Sequence, residues 1–235
     1  MQQLGLNNDV LVGGRRFHVQ TAYSEGTGTI ISHIFDNGRI VDKQESTVDG
    51  ESREAGLALP RKLKAVHQEM ISEMEMLFYI AEKVKQVKHP ISCNKLGRLF
   101  LSKNLFDDAA AQFRAAIELD EEFADAHKNL GIALVMKMDY AAAEESLRRG
   151  AKLAPKYADL YNYLGLAQLE QKNYEEAMHS LATALELNPA YFEANFNMAT
   201  LLIRMLAQNI EQSNLPPAAA RARSCVEHLA RAAEG

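Results

Sequence analysis

From residue 90 onward, apolar positions recur at spacings of three and four, in short blocks separated by polar turns. That rhythm predicts consecutive amphipathic helices. Residues 61–88 predict one long helix: Leu63, Val66, Met70, Leu77, Ile80, Val84 and Val87 follow heptad spacing, broken at Glu73, with Met74 and Phe78 widening the stripe. The first 50 residues are patterned differently, with β-branched runs interrupted by turn signals. Asn37-Gly38 is a strong two-residue hairpin signal, because both central residues of that turn need positive φ. Gly13-Gly14 marks a second hairpin, and 24–28 a longer loop. These signals predict an antiparallel meander with strands near 9–12, 15–23, 28–35 and 39–46, then a loop from Thr47 to Leu59 ahead of Pro60.

The helical part repeats itself. Leu96-Gly97, Leu130-Gly131 and Leu164-Gly165 recur every 34 residues, each followed nine positions later by an aromatic: Phe106, Tyr140, Tyr174. Ala109, Ala143 and Ala177 come next in step, then Phe113, Leu147 and Leu181, then the small Ala116, Gly150 and Ala184. Pro155 and Pro189 close the second and third units, where the first has Glu121. This period and these positions resemble the tetratricopeptide repeat. The resemblance implies two helices per unit, stacked so that neighbouring units share a core that no single helix pair can build.

A degenerate fourth unit follows. Residues 192–206 read as a first helix with Met198-Ala199 in place of Leu-Gly, and 208–214 as a polar connection. A last helix is expected from Pro216-Pro217 to about Ala233, with Ala222, Val226 and Leu229 inward, as the C-terminal cap. The fold class is thus mainly α: a meander over 1–50, a loop and connecting helix over 51–89, and a solenoid over 90–235 with repeats at 90–123, 124–157 and 158–191 and a degenerate pair at 192–235. The heptad stripe of 61–88 permits a homodimeric coiled coil. Its breadth favours packing onto the sheet and the first repeat.

Candidate chemistry is sparse. A two-residue turn at Asn37-Gly38 sets His33 across from Asp42, with His18 on the next strand, a set from which a metal-dependent or enzymatic role of the meander can be built. The GTGT stretch lacks the lysine and helix of a phosphate loop, and no serine or cysteine has a nucleophile context. Glu144-Glu145 and Glu175-Glu176 read as solvated helix faces. Cys93 and Cys225 are too few and too distant for a disulfide framework or zinc site. The formal net charge of −5, with no Lys/Arg cluster, argues against nucleic acid. Without a secretory signal or a spanning run, the expected location is cytoplasmic, with no membrane insertion. The expectation is a protein without cofactor, metal or catalysis.

Function then falls to the helices. In the family resembled, the first helices of the repeats line a concave surface that accepts an extended or helical partner segment. Carried over, that surface comprises Asn94, Arg98 and Leu101, then Lys128, Ile132 and Met136, then Asn162, Leu166 and Leu169, extended by Phe196 and Thr200. Asparagine amides suit a bound backbone, pairing with N–H and C=O alike. One subfamily clamps acidic chaperone tails with fixed Lys, Asn and Arg side chains. Asn94 and Arg98 stand where that clamp begins with Lys and Asn, and Tyr163 at its final basic position, which disfavours that ligand. The reading is an adaptor or scaffold holding a partner peptide or helix, with a dedicated chaperone for a secreted or assembling subunit as the alternative.

Overall fold

The computed structural model describes residues 4–48, 55–208, 210 and 216–233, with the backbone alone for 55–57. Residues 49–54 of the loop expected over 47–59, and most of the polar connection (209, 211–214), lie outside the described residues. The chain divides into two compact units, Met1–Lys88 with Arg98–Leu105, and His89–Gly97 with Phe106–Gly235.

The first unit opens with strands β1 (Gly5–Val12), β2 (Arg15–Ser24), β3 (Thr29–Asp36) and β4 (Arg39–Thr47), an antiparallel meander in the order β1-β2-β3-β4. Gly13 and Gly14 (φ 58° and 76°) and Asn37 and Gly38 (φ 49° and 81°) form the two tight turns. Alternation puts Phe17, Val19, Ile30, Ile34 and Val41 on a buried face, which α1 (Ala55–Val87) covers with Leu63, Val66, Met70, Met74 and Leu77. The helix begins at Ala55 rather than after Pro60, so the proline lies inside it, where it has no N–H to give to the carbonyl four residues back. Gly13 has a second reason to be glycine: a Cβ there would lie 2.4 Å from the Phe78 ring, which packs on Phe17 at 5.7 Å.

His67, Thr21 and Ser32, all buried, form one hydrogen-bonded chain in this interior. Nε2 of His67, on α1, meets Asn8 Oδ1 at 3.0 Å and Nδ1 meets the Thr21 hydroxyl at 2.9 Å, which in turn meets Ser32 at 2.6 Å. A neutral imidazole completes this chain, and burial lowers the His67 pKa accordingly.

The His33–Asp42 pairing expected from the turn does not form. The register shifts between Ile34 and Phe35, so that Ile34 faces Asp42 and His33 faces Lys43. The bulge re-aims Asp42. Its carboxylate accepts from Lys103 Nζ at 2.6 Å, and the same ammonium reaches Glu73 at 2.8 Å. His18 pairs with Asp9 instead, at 2.8 Å. Among the described residues no three His, Cys, Asp or Glu side chains are grouped to hold a metal ion.

The helices that follow are α2 (Pro90–Ser102), α3 (Phe106–Leu119), α4 (Ala124–Met136), α5 (Tyr140–Leu153), α6 (Ala158–Glu170), α7 (Tyr174–Leu187), α8 (Phe192–Ala207) and α9 (Ala218–Ala233). Within the second unit each packs on the next from α3 onward, and α6 also touches α4 and α8. The repeat has a backbone counterpart: Asn104, Met138 and Lys172, spaced like the repeat, take left-handed φ of 54°, 62° and 65° just after the first helix of each unit. The residues that match across repeats make the core. Ala109, Ala143, Ala177, Phe113, Leu147 and Leu181 are all fully buried. Gly131 is where the helices of the second pair touch, since a Cβ would lie 2.3 Å from Leu147 Cγ; Gly97 and Gly165 face Phe113 and Leu181 in the same way.

Two expectations are corrected in this unit. Helix α9 turns Arg221, Cys225 and Ala232 inward, whereas Val226 and Leu229 are 68% and 41% exposed and Ala222 also faces outward. His228, on the inward side, pairs with Asn195 Oδ1 at 2.8 Å, so the cap helix is seated partly by polar bonding rather than by an apolar stripe. Glu144 is not a solvated surface acid either. It accepts from Gln168 (3.1 Å), Gln171 (2.8 Å) and Arg148 (2.6 Å), and although burial opposes its charge, these bonds outweigh burial and lower its pKa.

Candidate functional site

Helices α4, α6 and α8 bring the matched positions of successive repeats side by side. The first row, one residue per helix, is Lys128, Asn162 and Phe196. Lys128 is held within the protein: Nζ lies 2.9 Å from Asp159 and 3.6 Å from Asp125, and 5.3 Å from the centre of the Tyr157 ring. Burial disfavours its charge, but the two aspartates more than offset that and raise its pKa. Asn162 is 2% exposed, and its Oδ1 accepts from Asn197 Nδ2 at 2.9 Å. Asn94, 7% exposed, accepts in the same way from Asn129 Nδ2 at 2.9 Å. These asparagines tie one repeat to the next, which explains why they are polar in a buried position. Sequence comparison singled out the acceptors but missed the donors, Asn129 and Asn197. Each stands 35 residues beyond its acceptor, one more than the repeat, and that interval is the signal that identifies them.

Phe196 is 52% exposed and stacks on Phe192, itself 45% exposed, with ring centres 6.4 Å apart and planes within 12°. Two tyrosines stand near the same end of the face. Burial, then the charges of Glu193 and Asp159, raise the Tyr163 pKa. Tyr191 is pushed up to about 12, by burial first and then by Glu193, Tyr163 and Asp159, with a bond from Asn162 acting the other way. Both phenols therefore stay neutral in this acidic neighbourhood. Asp125, Asp159 and Glu193 against Lys128 give this end of the face a net negative charge.

The second row is Ile132, Leu166 and Thr200, all half-buried, with the Thr200 hydroxyl donating to Phe196 O at 2.9 Å. Beyond it Met136 is 45% exposed, and Glu170 pairs with Arg204 at 2.8 Å. Leu169 is not on the face. It is 1% exposed and packs with Tyr174, Met198 and Leu202, because its position on α6 points between the helices. Arg98, exposed, and Leu101, half-buried, lie on the part of α2 that belongs to the first unit. A separate open cleft of about 680 Å³ runs between α3 and α5, with Leu130 and Leu134 at its floor and Arg114, Arg149 and Lys152 at its rim.

No described helix is long and apolar enough to cross a membrane. No curated protein sequence matches the chain. Tetratricopeptide-repeat family models match residues 94–158 and 158–191. Among solved structures, the chain is similar to MamA from Desulfovibrio magneticus RS-1, at 18% identity and a TM-score of 0.57 over 79% of this chain and 96% of that one. It is also similar to YrrB, described as a tetratricopeptide-repeat protein with an unusual peptide-binding site, at 23% identity and a TM-score of 0.50 over 63% of this chain and 74% of that one. At such identities the likeness concerns the fold. The family models, the 34-residue register and the stacked helix pairs agree that residues 94–191 are tetratricopeptide repeats.

Proposed function

We propose that the chain is an adaptor whose α4–α6–α8 face holds an extended segment of a partner protein, and that the segment pairs an aromatic or aliphatic side chain with a nearby lysine or arginine. The observation that carries this is the contrast along one face. Phe192 and Phe196 form a stacked aromatic surface about half open to solvent, while the only lysine of the first row, Lys128, is already bound by two aspartates. An acidic tail would meet Asp125, Asp159 and Glu193, and the lysine of the first row is already bound by two of them. A basic segment meets complementary charge, and its apolar side chain finds an aromatic platform of the kind that anchors interfaces. Neutral Tyr163 and Tyr191 provide hydrogen bonds alongside.

The test is a peptide array of systematically varied charge and aromatic content, probed with the intact protein, with Phe192→Ser/Phe196→Ser, and with Arg149→Glu/Lys152→Glu in the α3–α5 cleft. Peptides joining a basic residue to an aromatic or aliphatic one should bind best and weaken with salt, and the double serine variant should lose at least tenfold in affinity. The phenylalanines are exposed, so that variant should keep its helical circular dichroism. Selection of acidic peptides, or loss of binding only in the cleft variant, would overturn the assignment. Substituting Asn94 or Asn162 is a poorer probe, because both are buried and join neighbouring repeats.

A further inference from the structure

Helix α1 buries four of its heptad residues against the sheet, Leu63, Val66, Met70 and Leu77, so these offer no seam to a second copy, whereas Ile80 and Val87 of the same stripe stay exposed. The solvent side of the helix is therefore not polar. Met76, Tyr79, Ile80 and Val87 are 57%, 59%, 36% and 65% exposed. Leu99 of α2, in the same unit, is 49% exposed and joins Met76, Leu77 and Ile80 in lining an open groove of about 440 Å³, with Glu73 and Lys103 at its rim. A row of large apolar side chains along the solvent side of one helix is the mark of a covered surface.

We propose that a second copy of this chain covers it, the two α1 helices running antiparallel about a twofold axis near Tyr79. The order of charges along the helix selects that occupant. Residues 69–75 carry Glu69, Glu73 and Glu75 and no base; residues 83–88 carry Lys83, Lys85 and Lys88 and no acid. Between them Glu82 is paired with Lys85 within the helix. A parallel pair would set like charge against like. An antiparallel pair brings each acidic segment to the basic segment of the other copy, and the twofold axis makes the match twice. Met76 and Ile80 lie close to the axis, where apolar contacts are best shielded, and Val87 lies toward the ends. The surface is complementary to itself and lies in the first unit.

Light scattering coupled to size exclusion, with sedimentation equilibrium from about 1 to 100 µM of full-length protein, tests this. The intact chain should reach twice the monomer mass, and Ile80→Glu should remain monomeric with unchanged circular dichroism, since Ile80 is not part of the core. Met76→Glu serves as an independent second variant. Lys83→Glu should weaken the dimer about 5- to 10-fold at low salt, because two symmetric pairs with Glu75 of the other copy are lost, and Glu75→Lys/Lys83→Glu should restore it. A monomer at 100 µM would overturn the proposal, as would a dimer that survives both glutamate variants. Failure of the double charge swap to restore affinity would overturn the antiparallel arrangement. None of these outcomes depends on whether the repeats bind a peptide.

Discussion

Adding one methyl group at Gly131 should destabilise the repeats, although alanine is the better helix former. The new Cβ would lie 2.3 Å from Leu147 Cγ, 2.6 Å from Cδ2 and 3.1 Å from Cδ1. Leu147 is fully buried, and the clash falls on its branch point rather than on the end of a flexible chain. Replacing glycine by alanine in a helix interior gains about 1 kcal/mol. Overpacking a filled core costs about 1–3 kcal/mol, and contacts this short call for the upper end. The net loss should be about 2 kcal/mol, or roughly 4–8 °C in Tm for a protein of this length. Leu147→Ala alone should cost about 2–5 kcal/mol by leaving a cavity. In the double variant the methyl at position 131 enters the space that Leu147 vacates, so the two losses should fall short of additivity by about 1–3 kcal/mol. Urea unfolding followed at 222 nm for the four proteins measures this, with hydrogen exchange to locate the effect, because stacked repeats need not unfold as one. Stabilisation by Gly131→Ala, or a double variant equal to the sum of the singles, would refute the close-approach argument.

Other consequences follow from the charged and buried groups. Burial holds the His67 pKa below its ordinary value of 6.5, so the neutral imidazole contributes stability above that pH, and the contribution is lost as pH falls through the depressed value. Unfolding titrations at pH 7.5 and 5 should therefore show a larger loss for the intact protein than for His67→Gln; equal slopes would count against it, with His228, also lowered by burial, common to both. Lys103→Met should destabilise by about 1–3 kcal/mol, because it strands the largely buried Asp42 carboxylate, and 1 M salt should affect the intact protein less than the substitution does. Lys128→Met should tighten binding of a basic peptide by about 2- to 5-fold, since it releases Asp159 and Asp125 to the ligand; weaker binding in a fluorescence titration would show that Lys128 contacts the partner itself.

Periodicity revealed the architecture because the core obeys it. Every repeat must place a small residue against a large one at the same step, so Gly131 and Leu147, or Gly165 and Leu181, are readable as soon as the register is found. The two hairpin turns were equally legible, since positive φ at consecutive residues narrows the choice of side chains to a few. The His33–Asp42 pair was not, because a bulge at Ile34/Phe35 depends on what the strand must do farther away: it carries Asp42 to Lys103, 61 residues on. The inward side of α9 was misread for a related reason. Hydrophobicity alone favours Val226 and Leu229, yet Cys225 and Ala232 fit the available space and His228 finds Asn195. Where an apolar stripe is weak, hydrogen bonding decides which side faces in.

The chemistry of the candidate site is set one level above the repeat. Each helix contributes one residue to a row, so the neighbours that decide a residue's state lie roughly one period away in sequence: Asp159 for Lys128, Asn197 for Asn162, Glu170 for Arg204. Aligning the repeats on each other shows that Lys128, Asn162 and Phe196 share a position, and invites the inference that all three meet a partner. Pairing each position with residues 31 to 35 away shows instead that the lysine and the asparagine are already engaged. What remains accessible in that row is Phe196, with Phe192 stacked against it and acidic groups close by. Under the function proposed above, the ligand of such a surface is selected by those interactions between repeats, which consume the cation and leave the aromatic pair, rather than by the repeat pattern that builds the surface.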